Sequence, residues 1–471
     1  MFTRYLKYIL PILIPCIILL LPTTAFGIDG LTQIEQRVIA IFVLAALCWV
    51  LEPIPIYATS VVIIVLELLL VSDKGLWFTK VPSDDLGQLI SHKTIMGTFA
   101  SPIIMLFLGG FFLAMAATKY RLDTNLARVL LKPFGKDPKY VMLGLMMITA
   151  IFSMFMSNTA TTAMMLSILT PVLALFKMED MGKVAFALSV PVAANIGGIG
   201  TPIGTPPNAV ALKYLVDDNA ISFGQWMAFG VPFVVVMLFI AWVLLSRLFP
   251  ASEKEINLNI KGKFLKTPKA ITVYATFILT ILLWLMGGLH GMNSYVVALI
   301  PVAIFSMFNI ITKEDLKKIS WDVLWLVSGG IALGVALDKS GLAANAVNAI
   351  PFAAAHPLLL IVAASLLCLL MANFMSHTAT ANLLLPLVAA LGASMHSLLP
   401  YGGEVALILA VTFAASLGMS LPISTPPNAL AFASGHVKTK QMAKVGVILG
   451  VIGMLVTYAM IAILNQMGFM A

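Results

Sequence analysis

The sequence predicts an all-α polytopic membrane protein with about eleven transmembrane helices and two re-entrant hairpins arranged as an inverted repeat. Three observations point there. Of the 471 residues, 61% are hydrophobic and only 10% charged, which is more apolar surface than a water-soluble core can enclose. One polar block is also written twice. Ser157-Asn158-Thr159-Ala160-Thr161 followed by Thr205-Pro206-Pro207-Asn208-Ala209 returns as Ser376-His377-Thr378-Ala379-Thr380 followed by Thr425-Pro426-Pro427-Asn428-Ala429. The spacing from Ser157 to Ser376 and from Thr205 to Thr425 agrees to within one position. Leu108-Gly109-Gly110 and Ser328-Gly329-Gly330 keep the same spacing as the threonines, so a whole block is duplicated. Finally, corresponding loops of the two halves carry opposite charge signatures.

Taken in order, the first apolar run, Tyr8 to Ala25, follows Arg4 and Lys7. Pro11 and Pro15 interrupt it and no clear cleavage pattern follows, so it reads as an uncleaved first helix rather than a signal peptide. Ile54 to Leu70, Phe99 to Thr118, Phe229 to Leu245, Ile271 to Leu289 and Val445 to Leu464 each reach or approach the length of a bilayer crossing. Cys16, Cys48 and Cys368 lie inside apolar runs as small hydrophobes, so neither a disulfide framework nor a metal cluster follows from them. A net charge of +8 would suggest nucleic acid in a soluble chain, but here the basic residues cluster in short loops and report topology.

After the first Gly-Gly helix come Lys119, Arg121, Arg128, Lys132, Lys136 and Lys139, which places that loop in the cytoplasm. Its counterpart, Ser340 to Pro357, has no basic residue beyond Lys339 at its edge. Lys313, Lys317 and Lys318 precede the second Gly-Gly helix, whereas Ser72 to Lys93 mixes Lys with Asp73, Asp84 and Asp85. Asp217 and Asp218 follow the first Thr-Pro-Pro-Asn, and Lys438, Lys440 and Lys444 follow the second. The reversal argues for repeats of opposite topology, from about Ile34 to Phe249 and from about Thr267 to Met467. Threading by charge puts the N-terminus and the loop Arg247 to Lys269 (with Lys254, Lys261, Lys263 and Lys266) inside, and the C-terminus outside. It works only if Tyr140 to Phe176 and Pro357 to Leu399 enter and return on one side, as re-entrant hairpins with Ser157 and Ser376 near their tips.

A hairpin tip offers carbonyls to a cation and amides to an anion. Asn195 to Pro207 contains three prolines and four glycines and cannot remain a continuous helix; Leu421 to Pro427 repeats the interruption. No Lys or Arg lies in either cluster, so an anionic substrate must be met by helix N-termini, hydroxyls and co-bound cations. Cation coupling would then be a physical requirement. Glu67, among apolar neighbours, could be a proton site but reads rather as structural or interfacial, since it falls outside the duplicated block. His92, His290, His356, His396 and His436 fall in loops or helix ends, and Met146, Met147, Met154, Met156, Met164 and Met165 read as packing. No phosphate loop, HExxH pair or supported Ser-His-Asp set is present, which argues against an enzyme; a channel would require a continuous pore.

The Ser-Asn-Thr tip and the Thr-Pro-Pro-Asn segment, repeated in inverted halves, resemble the divalent anion/sodium symporter family, in particular its bacterial dicarboxylate transporters of the INDY type. The resemblance covers nearly the whole chain. It implies a plasma-membrane homodimer that imports C4-dicarboxylates such as succinate, malate and fumarate with Na⁺ by an elevator mechanism. It also implies scaffold segments at residues 1–120 and 267–340. Transport segments would span 121–250 (hairpin 140–176, broken helix 184–213, helix 228–248) and 341–471 (hairpin 357–399, broken helix 404–436, helix 444–465). By the same resemblance, Ser153, Ser157, Asn158 and Gly204 would hold one Na⁺, and Ser376, His377 and Ser424 a second. Asn158, Thr159, Thr205, Ser376, His377, Thr378 and Thr425 would bind substrate. The chain departs from the family's usual pattern at His377, where Asn is common and where an imidazole has no carbonyl oxygen for Na⁺. That departure leaves an exchanger or H⁺-coupled di- or tricarboxylate carrier of the same fold as the alternative.

Overall fold

The computed structural model describes residues 2–83, 85–173, 176–177, 180–253, 255–256, 263–349 and 356–470. Among the expected features, Asp84, Lys254 and Lys261, the end of the first hairpin at 174–175 and the loop residues 350–355 lie outside the described residues. No β-strand forms among the described residues beyond an isolated bridge between Ser72 and Ile90.

Helix α1 (Phe2–Leu20) precedes two matching sets. The first runs α2 (Gln33–Leu51), α3 (Ile56–Leu70), α4 (His92–Gly97), α5 (Pro102–Lys119), α6 (Leu122–Leu131), α7 (Pro138–Phe155), α8 (Asn158–Leu173), α9 (Gly182–Gly198), α10 (Pro206–Leu212) and α11 (Phe223–Leu248). The second runs α12 (Pro268–Leu285), α13 (Gly287–His290), α14 (Ser294–Met307), α15 (Lys313–Leu316), α16 (Trp321–Lys339), α17 (Leu342–Ala349), α18 (Pro357–Phe374), α19 (His377–Ser394), α20 (Gly403–Leu417), α21 (Pro426–Ala433) and α22 (Thr439–Gln466). Among the described residues, eight helices are long and apolar enough to cross a membrane, and Leu6–Leu20, Ile56–Leu70, Ser294–Met307 and Gly403–Leu417 are shorter apolar helices. Exposed Val235, Phe239, Leu366, Leu370, Val451 and Leu455 on α11, α18 and α22 suit a lipid surface.

Each expected hairpin segment folds as two helices joined at a break, and for the same local reason. Met156 (φ −127°, ψ 161°) and Met375 (φ −125°, ψ 168°) break the first arm with extended backbone. Ser157 and Ser376 then cap the second arm, their hydroxyls accepting the amides of Ala160 and Ala379 at 3.1 and 3.2 Å. Helices α11 and α22 start earlier than the expected 228 and 444, at Phe223 and Thr439. The reason for α11 is a reciprocal cap between Ser222 and Gln225; Gln225 Oε1 accepts the Ser222 amide at 2.8 Å. Cys48 and Cys368 are buried as expected, whereas Cys16 is exposed on α1, because only part of that helix's surface packs on α2.

The halves pack alike. Arms α7 and α8 lie on α9 as α18 and α19 lie on α20, and α5 packs on α14 as α16 packs on α3. The latter contacts require glycine, since a Cβ at Gly109 would run into the Ala298 backbone and one at Gly329 into Ser60. The short helices after the breaks are exchanged: α10 packs on α19 and α20, and α21 on α8 and α9. That exchange brings the two polar blocks to the middle of the bundle.

Candidate functional site

The breaks are built on one template. Thr205 (φ −144°, ψ 144°) and Thr425 (φ −144°, ψ 148°) are extended, and each is followed by two prolines at the start of a helix, where a missing N–H is least costly. The carbonyls freed by the interruption are taken by asparagine. Asn208 Nδ2 donates to the carbonyls of Ile199 and Thr201 at 3.3 and 2.8 Å, and Asn428 Nδ2 donates to those of Met419 and Leu421 at 2.8 and 3.0 Å. Both Asn side chains are buried, so each satisfies backbone acceptors that would otherwise be stranded.

Each tip is fastened to the break of its own half. Ser153 Oγ, fully buried on α7, lies 2.7 Å from the Ala194 carbonyl and 2.5 Å from Asn158 Oδ1. Asn158 rests on Gly198, where a Cβ would meet its Oδ1 at 2.7 Å and the Gly204 carbonyl at 3.0 Å. Ser153, Asn158, Gly198 and Gly204 thus lie together as one oxygen-rich nest. In the second half, His377 Nε2 is 2.7 Å from the Gly418 carbonyl. A carbonyl only accepts, so Nε2 carries the proton and donates, leaving Nδ1 as the ring's one free acceptor. Ser424 Oγ donates to the Asn373 carbonyl at 2.7 Å and accepts the Leu421 amide at 3.1 Å.

Of the remaining expected residues, Thr205, Thr378 and Thr425 are buried, Ser157 and Ser376 are half-buried caps, and Thr159 is exposed at the first tip. Thr425 Oγ1 caps α21 by accepting the Asn428 amide at 3.2 Å. The sequence reading missed two participants. Asn195 Nδ2 donates across the halves to Thr425 Oγ1 and Asn428 Oδ1, both at 3.2 Å, and so joins the two breaks. Its signal was present: an asparagine in an apolar helix whose counterpart in the second half is Ala415. The second, Asn373, accepts the Ser420 amide at 2.9 Å through Oδ1 and ties the α18 arm to the second break.

Among the described residues there is no group of three or more His, Cys, Asp and Glu able to hold a metal ion. The oxygens gathered at the tips are neutral hydroxyl, amide and backbone groups, a set suited to a hard ion. A cavity of about 340 Å³ reaches the first tip, lined by Phe111, Met115, Lys119, Met156, Ser157 and Lys318 among others. At its mouth Lys119 Nζ contacts Asp315 at 2.5 Å. Desolvation raises the Asp315 carboxyl, but hydrogen bonds from Lys119 and Thr312 outweigh it and hold the group at about 2, so the cavity's charge balance leaves Lys318 as its excess cation.

Comparison with known proteins gives the family and the fold. Residues 2–470 match the family described as the sodium:sulfate symporter transmembrane region. The chain is 30% identical over 464 residues to the sodium-dependent dicarboxylate transporter SdcS of Staphylococcus saprophyticus, spanning 89% of this chain and 84% of that one. The Staphylococcus aureus protein of the same name is 30% identical over 459 residues, spanning 87% and 82%. In fold alone, the chain is similar to the Alcanivorax borkumensis YdaH transporter, with a TM-score of 0.56, 12% identity and coverage of 88% of this chain and 98% of that one. It is likewise similar to Neisseria gonorrhoeae MtrF, with a TM-score of 0.51, 12% identity and coverage of 87% and 95%.

Proposed function

Because the chain belongs to the sodium:sulfate symporter family, the divalent anion/sodium symporters, and is a membrane transporter rather than an enzyme, we propose that it imports C4-dicarboxylates such as succinate, malate and fumarate together with Na⁺. The names of the staphylococcal relatives support this substrate class. The observation that carries the reading is the joined pair of tips and breaks: two capped helix N-termini, a buried nest of neutral oxygens, and no Lys or Arg in either block. A dianion has its two carboxylates met by the amides opening α8 and α19 and by Asn158, Thr159, Thr205, Ser376, His377, Thr378 and Thr425. Apart from His377, whose Nε2–H is already given to the Gly418 carbonyl and whose Nδ1 only accepts in the neutral ring, these groups donate hydrogen bonds but no net charge. Cations beside them supply it, which makes Na⁺ binding and substrate binding mutually favourable.

The first Na⁺ is assigned to Ser153, Ser157, Asn158 and the Gly204 backbone, the second to Ser376, His377 and Ser424. Residues 1–120 and 267–340 form the fixed scaffold, and 121–250 and 341–471 the moving transport unit. The exchange of α10 and α21 between the halves supports the latter as one body, because moving either block alone would break both sets of contacts. Charge threading gives a multi-pass plasma-membrane protein, N-terminus cytoplasmic and C-terminus outside, working as a homodimer. On this threading the cavity at Ser157 lies on the Lys-rich cytoplasmic side, and the conformation is the inward-open one.

Uptake of labelled succinate into proteoliposomes, with and without an inward Na⁺ gradient, tests the reading. Accumulation only with the gradient is expected; equal uptake without it would overturn symport. The rival reading, an exchanger or H⁺-coupled carrier, rests on the imidazole of His377, and gradient-independent counterflow or acid-driven uptake would favour it.

A further inference from the structure

Outside the duplicated block, a buried acid on α3 and a half-buried lysine at the end of α10 flank α16. Glu67 on α3 is fully buried, and neither carboxylate oxygen has a hydrogen-bond partner among the described residues. At the end of α10, Lys213 Nζ donates to the Ile331 carbonyl of α16 at 2.7 Å. Glu67 and then Asp338 are the acids whose charge acts on that ammonium, and Asp338 is itself largely exposed and 3.3 Å from Lys339. The neighbouring Tyr214 hydroxyl is buried without a partner among the described residues.

The approach is close enough to dictate the residue facing it. A Cβ at Gly334 would run into the Tyr214 hydroxyl and the Lys213 ammonium, and one at Gly330, a turn earlier, into the Asn382 side chain. The face of α16 is thus cut to receive α10 and α19. The device is not duplicated: by the spacing of the repeat, Gly334 corresponds to Ala114, and Lys213 and Tyr214 correspond to Ala433 and Ser434. A feature that is present once in a duplicated fold distinguishes the two sides of the membrane. An ammonium drawn out of water needs a counter-charge, and Glu67 is the acid whose charge acts most strongly on Lys213, without a direct ion pair between them.

We propose that Lys213, with Glu67 as its counter-charge, is a latch that holds α10 against α16 and so keeps the conformation with the Ser157 cavity open. The proposal rests on the scaffold and transport assignment above, which puts Lys213 on the moving unit and Glu67, Ile331 and Gly334 on the fixed one. Charge threading places the latch on the side opposite the cavity, near Asp217 and Asp218. Movement of the transport unit must pull Lys213 off the Ile331 carbonyl and separate it from Glu67. Lys213 is a positioning residue; it touches neither tip.

The test uses the full chain, with Cys16, Cys48 and Cys368 replaced and a single reporter cysteine at Ala160, which lines the cavity. A membrane-impermeant maleimide applied from the cavity side reports how often the cavity is open. Lys213→Met, and separately Gly334→Ala, which keeps every charge, are expected to slow labelling by at least about threefold as the population shifts to the closed-cavity state. A Glu67→Gln, Lys213→Met double variant leaves no uncompensated buried charge; it guards against misfolding of the single variants and is expected to slow labelling equally. A second reporter cysteine at the exposed Lys136 should label at the parental rate throughout. Parental labelling at Ala160 in folded Gly334→Ala and double variants overturns the latch, provided the parent's labelling responds to Na⁺ plus succinate. A parent whose labelling never responds overturns alternating access itself, and the latch with it.

Discussion

The two hairpin tips share a backbone and differ in their oxygens. The chain turns with φ −127° at Met156 and −125° at Met375, and Ser157 and Ser376 cap the following helices in the same way. Yet the counterpart of Ser153 in the second tip is Ala372, and that of Asn158 is His377. A hydroxyl has become a methyl and a carboxamide an imidazole. The His377 Nε2–H also engages the Gly418 carbonyl at 2.7 Å, so that oxygen is partly spent. Backbone shape is held by caps, prolines and the Asn208 and Asn428 clamps, none of which depends on the cargo. On the proposed assignment the side chains that meet the cargo were therefore free to diverge, and the first tip, with its extra hydroxyl and carboxamide oxygens, would be the better Na⁺ site of the two.

The comparison breaks most sharply at the site itself. Asn158→Ala and Thr378→Ala should each lower succinate uptake by about 10- to 100-fold or abolish it, since each removes a hydrogen-bonding group from the substrate or ion shell, while size-exclusion profiles stay parental. Near-normal uptake in both would remove the tips from the mechanism.

His377→Asn should come next. It returns a carboxamide oxygen to the second tip, so apparent Na⁺ affinity should rise. Identical Na⁺ titrations of parent and variant would leave His377 as a spacer bonded to Gly418.

A smaller effect tests what the tips have in common. Asn208→Ala and Asn428→Ala each strand break carbonyls and should cost about 1–3 kcal/mol, read as similar drops in thermal stability. A large loss in one and none in the other would show that the two breaks are not held alike. The gentlest perturbation asks which way the tips open. Single cysteines at Lys136 and Ala346 should label from opposite faces with activity intact, and labelling from one face would refute the inverted arrangement.

The duplicated block was legible because prolines, glycines and polar residues in an apolar chain have few tolerable positions, so their recurrence at a nearly constant spacing marks a repeated backbone. Helix character, both hairpins and both breaks follow from local chemistry of that kind: extended residues before a capping serine, and paired prolines after an interrupted helix. What stayed hidden depends on distant partners. Asn195 looked like one more residue of a broken segment until α21 was found lying on α9. Glu67 read as a structural or interfacial acid, and only packing sets it near Lys213, which lies on the far side of both hairpin arms in the chain. His377 was visible as a substitution, but its bond to Gly418 was not. Local sequence chose the backbone, because caps and breakers act within a turn or two. Tertiary structure alone decided which polar groups were spent on one another and which remained to meet an ion, because hydrogen bonds across the bundle join residues far apart in the sequence.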